Sequence, residues 1–195
     1  LVAIFASILL GHLRLPASTG PIRIVAQRPP AWGTQFVWVF GTLVAVFWPV
    51  GVFIAPTYAY HWPATPDVFG VGILQAIGFV LGAAGGILFS VAARALGRQM
   101  TPAIQVRKGH QLLQTGPYHY VRHPVYTAIV TIAFGQTLLY LSPPLAALTV
   151  LLAGLAVYRA RLEESLLASP LAFGGTYTSY LARTGRFLPR LYRRP

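Results

Sequence analysis

Apolar residues along this chain gather into five long runs and do not follow the short alternations of a soluble domain. The runs are Leu1 to Leu10, Thr34 to Ala55, Val68 to Ala93, Val125 to Leu141 and Leu145 to Tyr158. A helix needs about 20 apolar residues to cross the roughly 30 Å hydrocarbon core of a bilayer. The pattern therefore predicts five transmembrane helices. Leu1 to Leu10 is too short to span alone and reads as the end of a helix that starts before Leu1. It lacks the basic start and the small-residue cleavage pattern of a secretory signal.

The fourth and fifth runs are parted only by Ser142, Pro143 and Pro144. Proline offers no amide donor and breaks a continuous helix, so a tight antiparallel hairpin is predicted here. The fifth run is short, and its helix is expected to continue through Glu164, beyond the bilayer. In the third run, Gly78, Gly82 and Gly86 repeat every fourth residue, with Gly85 beside them. That spacing makes a small-residue helix face for close packing. A nucleotide-binding glycine loop would need a preceding strand and a polar phosphate site, and this segment is uniformly apolar.

Composition agrees with this division. Of the 195 residues, 55% are hydrophobic and 9% charged, against about 25% charged in an ordinary soluble domain. The net charge of +12 does not indicate nucleic acid, because the basic residues flank apolar runs and form no folded polar face or tail. All 15 basic residues fall in the stretches after the first, third and fifth runs, whereas the other loops carry only Asp67. By the positive-inside rule that side is cytoplasmic, with the N-terminus outside and the C-terminus inside. The absence of cysteine excludes disulfides, thiolate metal ligands and thiol nucleophiles.

The expected fold class is thus all-α: a polytopic integral membrane protein of about five helices with a cytoplasmic C-terminal cap. Residues 1–95 would form the N-terminal helices, and residues 96–195 a core bearing the chemistry. The polar segments Leu96 to Pro124 and Arg159 to Pro195 are too short for a soluble domain. Any polar-ligand site they build should lie at the membrane surface.

The chemistry concentrates in GPYHYVRHPVY, Gly116 to Tyr126, and in Glu163 and Glu164, the only two glutamates present. Ionisable groups held next to a bilayer are costly and mark ligand sites. Pro124 suits the first turn of a helix, which places Arg122 and His123 at the mouth of the fourth span, where the helix dipole favours an anion. For either residue alone the plainer reading prevails, with Arg122 snorkelling to headgroups and His123 a polar residue at a helix end. Arg159 and Glu163 are four apart and share a helix face, which suits a mutual ion pair as well as an anionic substrate beside a second ligand. His119 and His123 have the same spacing, but the helix is expected to start after them, at Pro124, and no third ligand is evident, so no metal site is expected. Tyr118, Tyr120, Tyr126, Phe173, Tyr177 and Tyr180 suit interface anchoring, and some suit walling an adenine ring or a lipid-like substrate.

Taken in order, the HQLL at His110 to Leu113, GPY, RHPVY, a two-span hairpin, RARLEESLL, the FG at Phe173 and Gly174 with Tyr177 and Tyr180, and a closing TGRFLP resemble the isoprenylcysteine carboxyl methyltransferases. The phospholipid N-methyltransferases are more distantly similar. The resemblance covers Leu96 to Pro189. It implies a membrane enzyme that binds S-adenosylmethionine, releasing S-adenosylhomocysteine, in a cytoplasm-facing pocket capped by the C-terminal segment. Carried over by motif, the cofactor would contact Gln105, His110, Gln111, Leu112, Leu113, Tyr118, His123, Pro124, Val125, Tyr126 and Glu163, and Arg159 would touch the substrate.

The expected activity is methyl transfer to an amphiphilic, lipid-like acceptor of the isoprenylcysteine carboxyl type, with membrane lipids as further partners. Such a transfer is an in-line displacement that needs mainly alignment at about 3–3.5 Å. A carboxylate is already ionised at neutral pH and requires no general base. Two other classes fit less of the pattern: an NADPH-dependent sterol or enone reductase, whose C-terminal region is similar, and a non-enzymatic membrane protein with a basic surface for anionic lipids.

Overall fold

The computed structural model describes residues 24–27, 50, 70–101 and 103–190. The expected spans at Leu1 to Leu10 and Thr34 to Ala55 lie, but for Val50, outside these residues. The third apolar run forms α1, Val71–Leu96, and the fourth and fifth form α3, Pro124–Tyr140, and α4, Pro143–Leu167. Between α1 and α3 come a 3-10 turn at Gly97–Gln99, the short strand β2, Gln105–Arg107, and α2, Pro117–Tyr120; α5, Gly175–Arg183, follows α4. At about 1.5 Å per residue, α1 and α4 are about 39 and 37 Å long. Both are long and apolar enough to cross a membrane, while α3 is a shorter apolar helix.

Glycine packing fixes α1 against α3. A Cβ on Gly78 would lie 2.5 Å from the Gly135 carbonyl oxygen, and one on Gly135 would lie 2.6 Å from the Gly82 amide nitrogen. The two backbones touch, as the four-residue glycine spacing predicted. Further along, Gly85 meets Ile132 and the Ala128 carbonyl. Rising numbers on α1 therefore meet falling numbers on α3, so the pair is antiparallel. Away from this seam α1 exposes Ile73, Ile77, Phe79, Val80, Ile87 and Val91, the outward apolar face that a helix in lipid needs.

The α3–α4 hairpin forms where the prolines placed it. Leu141 takes a left-handed conformation (φ 47°), Ser142 is the N-cap residue, and Pro143 and Pro144 occupy the first helical positions, where a missing amide leaves no bond unmade. Thr137 and Thr149 bridge the hairpin hydroxyl to hydroxyl at 2.9 Å. α4 runs on past Glu164 to Leu167. The C-terminal end of α1, the N-terminal end of α3 and the C-terminal end of α4 consequently lie together.

One element corrects the all-helical expectation. β1, Ile24–Gln27, pairs antiparallel with β2, joining Ile24 to Arg107, Ala26 to Val106 and Gln27 to Gln105. The buried Ala26, Ile104, Val106 and Leu166 form a small second core beneath this ribbon. Strands of four and three residues carry too little alternation to be read, and each is completed only by a partner distant in sequence.

After α5 the chain turns back as a strap. Gly185 forms a parallel bridge with Val121, the Arg122 amide donates to the Gly185 carbonyl at 2.9 Å, and the His123 amide donates to the Arg186 carbonyl at 3.1 Å. Thr127 Oγ1 also donates to the Phe187 carbonyl at 3.0 Å. The strap thereby satisfies amides at the mouth of α3 that have no partner within the helix.

Candidate active site

Where the three helix ends meet, a cavity opens with about 940 Å³ of empty space, its mouth included. One side is built by the segment from Leu96 to Leu113. The loop carrying His110, Gln111, Leu112 and Leu113 is fixed because the Gln111 amide donates to Gln99 Oε1 at 3.0 Å and the His110 amide donates to the Arg107 carbonyl at 3.0 Å. Gln105, at the start of β2, lines the same side. The opposite side is formed by Tyr118 of α2, then Arg122, His123, Val125 and Tyr126 at the start of α3, with Glu163, Leu166 and Leu167 on α4. Phe173, Tyr177 and Tyr180 add an aromatic wall. Phe173 meets His110 edge-on, with ring centroids 5.7 Å apart.

Ten of the twelve residues expected at the site line this cavity. Two sit behind its wall. Pro124 is fully buried as the first residue of α3, and Arg159 is 1% exposed. Arg159 is thus not among the residues that line the cavity. Its Nε donates to the Tyr126 hydroxyl at 2.6 Å, and that hydroxyl donates to Glu163 Oε2 at 2.9 Å. A buried guanidinium is drawn to an inward-facing acceptor, so Arg159 reaches the cavity through Tyr126. Glu163 stays partly accessible, with 31% of its side chain exposed.

Glu164, adjacent in sequence, faces the other way and is buried. Arg122 Nε approaches its Oε1 at 2.9 Å, His123 Nε2 the same oxygen at 3.2 Å, and Arg186 Nη2 its Oε2 at 2.6 Å. Arg122 also donates to the carbonyls of Leu181 and Thr184. That settles the ambiguity of the RHP motif. Arg122 lies along the wall and directs its donors to Glu164 and to the carbonyls of Leu181 and Thr184. The roles of Glu164 and Arg186 were not legible in the sequence; the signals were the second glutamate and the arginine inside TGRFLP.

His123 lies between the two carboxylates, its Nδ1 3.7 Å from Glu163 Oε2, and it stacks on Tyr126 at 5.4 Å with 12° between ring planes. His119 is exposed and packs edge-on against Tyr120, so the two histidines do not converge. Tyr118 carries the least satisfied group of the wall: its hydroxyl is buried and has no hydrogen-bond partner among the described residues. Burial, then the negative charge of Glu163, raises its pKa well above the ordinary tyrosine value and keeps it a donor. Tyr180, whose hydroxyl donates to the Tyr118 carbonyl, is pushed up to about 12 by burial. Burial, then the Arg107 charge, lowers the His110 pKa, against a smaller opposing pull from Glu163.

Two apolar helices long enough to cross a membrane thus end beside a cavity lined by both charged and apolar side chains, as suits a membrane protein. Residues 76–169 match the isoprenylcysteine carboxyl methyltransferase (ICMT) family. It includes most of the cavity wall but ends before α5 and the strap. The family is one of membrane methyltransferases. No curated protein matches the chain.

Proposed function

We propose that the cavity binds S-adenosylmethionine and that the protein methylates an amphiphilic acceptor, a carboxylate of the isoprenylcysteine type. The observation that carries this reading is a buried wall with unused polar capacity: the Tyr118 hydroxyl, without a partner among the described residues, beside the partly open Glu163 carboxylate. A buried polar group without a partner costs about 1–3 kcal/mol, so the wall is shaped for a ligand that brings one.

The residues fit that cofactor. Glu163 offers a carboxylate to a cationic ligand, Tyr118 a donor, and Phe173, Tyr177 and Tyr180 aromatic surface suited to an adenine ring. Gln105, the His110 to Leu113 loop, His123, Val125 and Tyr126 complete its enclosure. Bound there, S-adenosylmethionine would supply a methyl group activated on a sulfonium. The chain's own task is alignment and exclusion of water. Transfer to a carboxylate oxygen moves no proton, which accords with a site that sets Glu163 to binding and needs no general base. Arg159 acts here as a positioning residue, fixing Tyr126 and Glu163 from behind. An acceptor's lipid-like tail would lie along the apolar outer faces of the helices, and the charged end bearing the cavity would face the cytoplasm by the positive-inside rule.

Calorimetry on protein purified in detergent tests this. S-adenosylhomocysteine should bind at one site, and a labelled methyl group should pass from S-adenosylmethionine into a lipid extract. Absence of binding, or retention of NADPH in its place, overturns the proposal.

A further inference from the structure

The strap from Thr184 to Arg190 lies outside the family-matched segment, and nothing on it lines the cavity. Yet its Arg186 makes the shortest ion pair to Glu164 among the described residues, at 2.6 Å, with Nε 3.1 Å from both carboxylate oxygens. Such a fork restrains the carboxylate's orientation as well as its position. Glu164 in turn holds His123 through Nε2, and His123 is a wall residue with its other face on Tyr126 and Nδ1 toward Glu163. A continuous set of contacts thus runs from the strap to the ligand-facing carboxylate.

We infer that Arg186 is a positioning residue of the site, fixing the His123–Tyr126–Glu163 wall through Glu164. The inference deepens the cofactor reading and rests on it for its consequence in binding; the contacts themselves do not depend on it. Two physical points favour it over a tail merely tied down. First, the strap is already secured by backbone hydrogen bonds at Arg122 and His123, so Arg186 is not required simply to hold it near. Second, Glu164 already has Arg122 and His123 as cationic or donor partners. A third partner arriving from the strap chiefly fixes which way the carboxylate points, and hence where His123 sits. Gly185 allows this register: a Cβ there would run into the Leu188 carbonyl oxygen, so the strap can turn tightly beside Arg186.

The test uses the full chain in detergent, comparing wild type, Arg186→Gln and Arg186→Lys. Hydrogen exchange without ligand should show faster exchange at residues 121–127 in Arg186→Gln, and a smaller change in Arg186→Lys, which keeps the charge but not the fork. S-adenosylhomocysteine should bind about tenfold more weakly to Arg186→Gln, with Arg186→Lys in between. If exchange at 121–127 is unchanged in both variants, the inference is overturned. It is equally overturned if both bind the probe as wild type does and lose only thermal stability. Should Arg186→Gln fail to fold, Arg186→Lys decides by the same two readouts. If wild type itself binds no S-adenosylhomocysteine, the cofactor reading fails, and the exchange measurement still decides the role of Arg186.

Discussion

The Tyr126 hydroxyl donates to Glu163 Oε2 at 2.9 Å, tying the first turn of α3 to the far end of α4 across the whole hairpin. Because the Tyr126 hydroxyl oxygen also accepts from the buried Arg159, one phenol orders a cation behind the wall and a carboxylate on it.

Replacing Tyr126 by Phe removes both links at once. Arg159 then loses a buried acceptor, at a cost of about 1–3 kcal/mol, and Glu163 loses its orienting donor. Thermal unfolding should show a lower Tm, and calorimetry a roughly tenfold weaker S-adenosylhomocysteine. An unchanged affinity would separate Tyr126 from the ligand site.

Tyr118→Phe should behave oppositely in stability. Its hydroxyl is buried without a partner among the described residues, so deleting it removes a desolvation cost and leaves the ring packing intact. Tm should hold or rise while ligand affinity falls by about five- to twentyfold. A fall in Tm would mean that the hydroxyl is satisfied within the protein.

Acid should weaken the fold through His110. Burial, with Arg107 nearby, holds the His110 pKa below its ordinary value of 6.5. The unfolded chain thus takes up a proton more readily than the folded one. The stability tied to neutral His110 is fully present above 6.5 and is lost as pH falls through the lower folded value. A Tm–pH series should show this loss in wild type, and the slope below 6.5 should flatten in His110→Gln. The contact of Phe173 with His110 makes ligand affinity the second readout in the same range.

Gly78→Val should break the α1–α3 seam. The new side chain would start 2.5 Å from one backbone atom and 2.6 Å from another, so the helices must part, costing about 1–3 kcal/mol or more. Val in place of Gly72, where a Cβ would meet nothing within 4 Å, is the control. Comparing their Tm values in detergent isolates the close approach from the general effect of substituting glycine.

Much of this architecture was written in local sequence. Three of the five apolar runs appear as helices near their expected bounds, Pro143 and Pro144 open α4, Pro124 opens α3, and the glycine spacing in α1 forms the close seam. Each follows from forces acting within one segment: burial of apolar runs, the missing proline amide, and the absence of a glycine side chain. The family motifs also named most of the residues that line the cavity.

What the chain alone did not determine is which way neighbouring side chains point. Glu163 and Glu164 are consecutive and chemically identical, yet one faces the cavity and the other anchors Arg122, His123 and Arg186. The placement of Arg159 behind Tyr126, the β1–β2 ribbon and the return of Arg186 from beyond α5 are likewise decided by contacts between distant segments. Helix rotation and hairpin closure settle those contacts, because a buried charge must find its partner wherever packing brings one. Local pattern therefore specified the helices and the chemistry they carry, and tertiary packing assigned each charged residue its place.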